Sequence, residues 1–388
     1  MGKLLFFLPI YSEWIEEVRM KLLVRELQKA FLQYLLLPFV YRIFSYQRVD
    51  NDFVILADSK SDGVPFSLKA MHKELQARNY NTLVWCHNYD KLNVFQKLAK
   101  SILFMKYYAR AKYVFICDYY LPVSSCNKKE ETKVVQLWHA SGLQKKFGYD
   151  APDDLGNLRW IKPTKNFDLV SVSSEIMVNV VSNNWRMDKE KVKALGHSRS
   201  DFFFEEGYVE RCEKQFYEEY PAAKGKTVIL WAPSFRGNGS NANIDGIEEM
   251  LNLKERLNDD YFLVIKLHPH LQEKYKVDNC KIKTEELYPV TDILITDYSS
   301  VFYDFLLLKK KVIFYVPDYE EYTETRGMYI DYRSEFNFPM VYETKDLFNV
   351  ICRYNNLSDM DIDKYRGKFI NCNDGLATKR IIELLEEL

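Results

Sequence analysis

A chain of 388 residues is longer than one hydrophobic core ordinarily serves, so two domains are expected. With 47% hydrophobic and 15% aromatic residues it is too rich in core formers to be disordered, and a net charge of −1 gives no global pull toward nucleic acid, so no nucleic-acid partner is expected. Seven cysteines, scattered and without a Cys-x-x-Cys pair, suggest neither a disulfide framework nor a zinc site, which suits a reducing cytosol.

The apolar run at residues 4–10 is too short to span a bilayer and lacks a small-residue cleavage site, and Phe6 stands where N-myristoylation requires Ser or Thr. Residues 14–46 then read as a helix. Trp14, Ile15, Val18, Leu22, Leu23, Leu27, Phe31, Leu35 and Leu36 recur near helical spacing, with Arg19, Lys21, Arg25, Lys29 and Arg42 between them. Such an amphipathic segment either lies on an anionic membrane surface or packs on the body of the protein, and the pattern leaves both open. Pro38 is expected to kink or end it.

Beyond it the pattern alternates. Strands are expected at 53–56, 82–85, 113–116, 134–137 and 169–172, with helices at 65–78 and 92–109. Short apolar runs separated by helical periods specify a parallel sheet covered on both faces. The alternation pauses around 194–224 and restarts with strands at 227–231, 262–265, 293–295 and 312–315, helices near 245–257 and 300–308, and closing helices at the C-terminus. The expected fold is α/β: an N-terminal amphipathic helical segment (1–48), then one Rossmann-like domain (49–201) and another (202–388).

Ligands of such sheets bind at the carboxyl ends of the strands, where several polar clusters fall. His139 follows the strand ending at Leu137, and Gly142 allows close backbone approach just after it. A neutral imidazole there can take a proton from an attacking hydroxyl; the structural alternative is a histidine bonded to backbone. His268, two residues after Lys266, has the same placement in the second half, where it can bond a phosphate oxygen and stabilise charge on a leaving group. Ser299 and Ser300 after Asp297 read as a helix start that favours an anion, or as simple capping. Arg236, in the strand-end loop with Pro233 and Ser234, can pair bidentately with phosphate, and Arg199 is a further cationic candidate. Glu286 can accept ribose hydroxyls or merely complement a helix dipole. The absence of a Walker loop and of Gly-x-Gly-x-x-Gly disfavours P-loop kinases and dehydrogenases. The acids at 359–363 are explained as a helix first turn without metal.

Together, Trp138-His139-Ala140-Ser141-Gly142, residues 196–201, 232–236 and 266–269, Thr296-Asp297-Tyr298-Ser299-Ser300 with Asp304, and residues 326–332 resemble, in order, the motifs of the CDP-glycerol glycerophosphotransferase family of teichoic acid synthesis. The resemblance runs from about Tyr113 to the C-terminus. It implies a GT-B-like architecture, two Rossmann-like domains facing across a cleft, with the acceptor half first and the CDP-alditol half second. It implies His139 as general base and His268 as the group assisting the donor phosphates. Ser299, Ser300, Arg236, Arg199 and Arg326 would hold the pyrophosphate, with Ser141, Gly142, Pro233, Ser234, Lys266, Glu286, Thr296 and Asp297 completing the donor site, and Asp118 and Tyr119 on the acceptor side. No metal and no cofactor are expected.

Ala140-Ser141-Gly142, where most relatives have Gly-Thr-Pro, and Asp118-Tyr119-Tyr120-Leu121 look like the primase branch, which adds the first glycerol phosphate to a lipid-linked disaccharide. His197 and Ser198 depart from the family pattern just before Arg199. The implied activity is transfer of glycerol phosphate from CDP-glycerol, or ribitol phosphate from CDP-ribitol, to a hydroxyl of a lipid-linked saccharide. It would release CMP at the cytoplasmic face of the cell membrane. The competing readings are a polymerase of the same family, a capsule alditol-phosphate transferase, a GT-B hexosyltransferase and a catalytically inactive membrane scaffold.

Overall fold

The computed structural model describes residues 20, 23–151, 160–237, 243–257, 259–267, 271, 274–277, 280–354 and 359–387. Its strands form two parallel sheets. The first has the order β2-β1-β3-β4-β5-β6, with β1 Asp50–Asp58, β2 Asn81–Cys86, β3 Ala111–Ile116, β4 Lys133–Gln136, β5 Leu169–Ser171 and β6 Val192–Lys193. The second has the order β11-β10-β9-β7-β8, with β7 Thr227–Trp231, β8 Tyr261–Ile265, β9 Ile293–Thr296, β10 Lys311–Tyr315 and β11 Met340–Val341. The chain divides into two compact units, Met1–Leu137 with Asp153–Val170, and Trp138–Pro152 with Ser171–Leu388.

Every longer strand falls where the apolar runs place it. Val54, Ile55, Leu56, Val114, Phe115, Val134 and Val135 are almost wholly buried in the first sheet, as are Val228, Ile229, Leu230, Leu294 and Ile295 in the second. Continuous apolar runs suit strands covered on both faces, and each such side chain contributes about 1.5–3 kcal/mol on burial. Phe66–Ala77 and Val94–Tyr108 form the helices expected at 65–78 and 92–109, the latter opened by a capping box between Asn93 and Gln96. The strands β6 and β11, two residues each, are too short to leave a pattern. Helix Tyr208–Glu219 escaped because half of its residues are charged and it buries only Tyr208, Cys212 and Phe216.

The part of the N-terminal segment before residue 23, Met20 apart, lies outside the described residues. From 23 to 44 the chain is helical, and it runs through Pro38 instead of ending there. Leu32–Leu36 widens into a π turn in which Leu37 N–H reaches the Leu32 carbonyl, just where a proline one residue later would disturb the α ladder. One face packs within the first unit through Leu37, Val40, Tyr41 and buried Gln33. The Gln33 amide donates to the carbonyls of Ser124 (3.0 Å) and Lys162 (2.9 Å) and accepts from Lys162 N–H (3.0 Å). The other face leaves Leu23, Val24, Leu27, Phe31, Leu35, Phe39 and Ile43 exposed. No helix among the described residues is long and apolar enough to cross a membrane.

Candidate active site

In the second sheet, all parallel, successive strands are laid down to one side of β7 as β8 and to its other side as β9, β10 and β11, so the strand order reverses between β7 and β9. A crevice at the carboxyl ends of the strands is where such sheets take ligands. Two loops meet there. Thr296 Oγ1 donates to the Ala232 carbonyl (2.7 Å), and Asp297 accepts from Ser234 N–H (2.8 Å). Ser299 and Ser300 follow, half-buried; Ser300 sits at the N-cap of helix Val301–Leu307 but makes no side-chain capping bond, so simple capping does not account for it.

Arg236 comes to the same end of the sheet, but its fork is taken. Nε and Nη2 grip the Asp318 carboxylate (2.6 and 3.0 Å), and Nη1 reaches Asp297 (2.8 Å) and the Ser234 carbonyl (2.9 Å). The guanidinium also lies 5.0 and 4.8 Å from the ring centres of Tyr298 and Tyr322, which stack 3.8 Å apart. Burial pushes the Asp318 carboxyl up, but Arg236 outweighs it and holds it below the ordinary value. In this structure Arg236 therefore organises the loops, and the bidentate phosphate pairing expected of it is occupied by Asp318. The signal for Asp318 was its place just past strand β10.

Lys266 is likewise turned inward, donating to the carbonyls of Cys280 (2.5 Å) and Ile282 (2.7 Å), and burial lowers its pKa. Glu286, on the short helix Thr284–Leu287, is only partly exposed and lies 3.5 Å from Gln215 Nε2. His268 lies outside the described residues, as does His270.

The histidine loop after β4 belongs to the second compact unit. Trp138 adopts a left-handed backbone (φ 56°) and is buried against Trp185, with ring centres 4.8 Å apart, while His139 beside it is exposed. A non-glycine residue in that region is strained, and strain of this kind persists only where the surroundings fix it. Several bonds do so. Gly142 N–H donates to Ser173 Oγ (3.1 Å), Tyr303 Oη donates to the Leu143 carbonyl (2.6 Å), and the Gln144 amide donates to the Ser299 carbonyl (2.9 Å). Residues 145 and 328 form an antiparallel bridge, and Arg326 Nε donates to the Lys146 carbonyl (3.1 Å). The segments 138–147, 196–201, 296–304 and 326–329 thus converge in one unit.

Ser141, expected on the donor, is buried instead. Its hydroxyl lies 3.2 Å from His197 Nδ1 and accepts from the Asn373 amide (3.3 Å). His197 is fully buried, its Nε2 without a partner among the described residues, and burial, with Arg199 and His139 adding to it, pushes its pKa down to about 3. Ser198, where the family pattern departs, meets the Thr378 hydroxyl (2.9 Å). Arg199 Nη1 donates to the His139 carbonyl (2.8 Å), and Nη2 is paired with the buried carboxylate of Asp304. In the first sheet the order reverses between β1 and β3, and Asp118 and Tyr119 follow β3 at that point. Asp118 accepts from Tyr119 N–H (2.7 Å), and its carbonyl accepts from the Gln136 amide (3.2 Å).

Two parallel α/β sheets, with polar loops at the strand-order reversal of the second and an exposed histidine bonded through its loop to them, define an α/β protein with a candidate anion site at the carboxyl ends of its strands. The chain belongs to the CDP-glycerol:poly(glycerophosphate) glycerophosphotransferase family, whose profile matches residues 39–387. It is 29% identical over 90% of its length to a teichoic acid poly(ribitol-phosphate) polymerase of Bacillus spizizenii, of which it spans 58%. It is 27% identical over 87% of its length to a teichoic acid ribitol-phosphate primase of the same organism, of which it spans 91%. With a teichoic acid glycerol-phosphate primase of Bacillus subtilis it shares 29% identity over 72% of its length and 74% of the relative's. Among solved structures, a variant of the wall teichoic acid polymerase TagF superposes with a TM-score of 0.73 at 20% identity, covering 97% of both chains. A UDP-GlcNAc 2-epimerase from Neisseria meningitidis gives 0.54 at 15% identity over 87% of this chain and 99% of its own.

Proposed function

We propose that this protein transfers glycerol phosphate from CDP-glycerol to a hydroxyl of a lipid-linked saccharide, as a primase of teichoic acid synthesis at the cytoplasmic face of the membrane. The observation that carries the reading is the exposed His139, held on a loop that is itself bonded to the 296–304 segment. The acceptor oxygen attacks the β-phosphorus, the bond from that phosphorus to the α–β bridging oxygen breaks, CMP leaves, and the hydroxyl proton goes to His139. Ser299 and Ser300, with His268 and the nearby backbone N–H groups, receive the pyrophosphate charge. The sheet of β7–β11 takes the CDP-alditol, and the region of Asp118 and Tyr119 serves the acceptor.

The exposed apolar face of helix 23–44, flanked by exposed Arg25, Lys29 and Arg42, supports a peripheral membrane contact that brings the enzyme to a lipid-linked acceptor. A second reading, CDP-ribitol as donor, is favoured by the ribitol-phosphate primase whose length this chain spans to 91%. Incubation with CDP-glycerol, CDP-ribitol and UDP-sugars, each with a lipid-linked disaccharide, tests both. CMP release with addition of one or two units supports a primase, long products a polymerase, and transfer only from a UDP-sugar refutes the reading.

A further inference from the structure

The buried pair of Arg199 and Asp304 has no evident reason to exist for stability. The Arg199 side chain is 13% exposed and that of Asp304 not at all. Taking two charges out of water costs several kcal/mol per ion, which their attraction offsets only with good geometry, and apolar residues of the same size often serve a fold as well. Burial pushes the Asp304 carboxyl up to about 6, with Arg199 pulling the other way, so the ionised carboxylate is held at a cost. What apolar residues would not supply is a donor for the His139 carbonyl, which accepts from the other arm of the same guanidinium at 2.8 Å.

We propose that Arg199 and Asp304 form a strut that positions the His139 loop against the 296–304 segment, and that Arg199 acts on the reaction through His139 and not as a ligand of the donor. The strut is anchored at both ends. Asp304 lies on the helix that follows Ser300. Arg199 lies in the turn Ser198–Phe204, whose Asp201 accepts from the N–H groups of Ala377 (3.2 Å) and Thr378 (2.8 Å) at the start of helix Ala377–Glu387. The Tyr303 and Gln144 bonds hold the loop beyond Gly142, whereas Arg199 holds it before Gly142, at the histidine itself. A lysine keeps the charge but lacks the planar fork that spans carboxylate and carbonyl together.

The catalytic consequence rests on the transferase reading; the geometric one does not. The experiment compares wild type with Arg199→Lys and Asp304→Asn, each first checked for folding by thermal melt. It measures kcat, CDP-glycerol affinity by calorimetry, and amide hydrogen exchange in the peptide spanning 138–144. The strut predicts kcat reduced by about 100-fold, as a displacement of about 1 Å at a reacting group produces, with CDP-glycerol affinity essentially unchanged. It also predicts faster exchange in 138–144 while β7 and β9 keep their protection. Affinity that weakens in step with kcat, an Arg199→Lys enzyme close to wild type, or unchanged exchange in 138–144 overturns it. If wild type turns over no CDP-alditol, the transferase reading fails, and exchange alone still decides the strut. If Asp304→Asn does not fold, Arg199→Lys, which preserves the charge opposite Asp304, decides it.

Discussion

Gly142 and Gly225 offer a matched pair of glycines whose substitution by alanine separates backbone strain from steric conflict. Both have positive φ, 64° and 77°. A Cβ at Gly225 meets nothing within 4 Å, whereas a Cβ at Gly142 would overlap three ring carbons of Tyr303. That ring cannot easily retreat: it is fully buried, packs on Phe302 and Phe369 with ring centres 4.9 and 5.6 Å away, and is pinned by its bond to the Leu143 carbonyl. Left-handed backbone costs an L residue about 1–2 kcal/mol, and this applies to both variants. Overpacking a filled site adds about 1–3 kcal/mol, and this applies only to Gly142→Ala. Urea denaturation of the two variants beside wild type should therefore show Gly225→Ala down by about 1–2 kcal/mol and Gly142→Ala by about 2–5 kcal/mol. Turnover should fall only in the second, because only there does the histidine loop move. Equal losses of stability, or a Gly142→Ala enzyme of normal turnover, would refute the claim that this loop is closely packed on Tyr303.

Acid stability should report on His197. Its folded pKa lies near 3, below the ordinary histidine value of 6.5, so the unfolded chain binds the extra proton first; stability is full above pH 6.5 and is lost as pH falls toward 3. Between pH 6.5 and 5 the group accounts for up to about 2 kcal/mol, and a folded His197→Asn protein should show a correspondingly shallower fall over that window in denaturation series. For His268→Ala, turnover and CDP-glycerol affinity should drop together, and calorimetry showing unchanged affinity would remove it from the phosphates. Replacing exposed Leu27, Phe31 and Leu35 by serine should release the protein from anionic liposomes and slow transfer to a lipid-linked acceptor. A soluble short-chain acceptor should still be used, and undiminished liposome binding would place the membrane contact elsewhere.

The strands were legible because each is a short apolar run bounded by polar or turn residues, and a strand buried on both faces needs no more than that. The site was legible as positions and not as roles. His139, Ser141, Arg199, Arg236 and Asp304 all stood out in the sequence, yet nothing in spacing shows that the Arg236 fork would be filled by Asp318, eighty-two residues on, or that Ser141 would face His197. Those pairings depend on which strand ends lie side by side, and strand order is fixed by the whole sheet. The N-terminal helix shows the same limit. Its periodicity announced an apolar face, but Gln33, polar and unremarkable in sequence, proves to be a buried anchor, while seven apolar residues remain exposed.

Whether His139 takes the acceptor proton is decided by the His139→Ala variant, measured for CMP release and for CDP-glycerol binding on the same preparation. A base that acts on the acceptor and not on the nucleotide predicts transfer lost by about 100-fold or more with melting temperature and CDP-glycerol affinity close to wild type. Near-normal turnover in the folded variant would show that another group takes the proton.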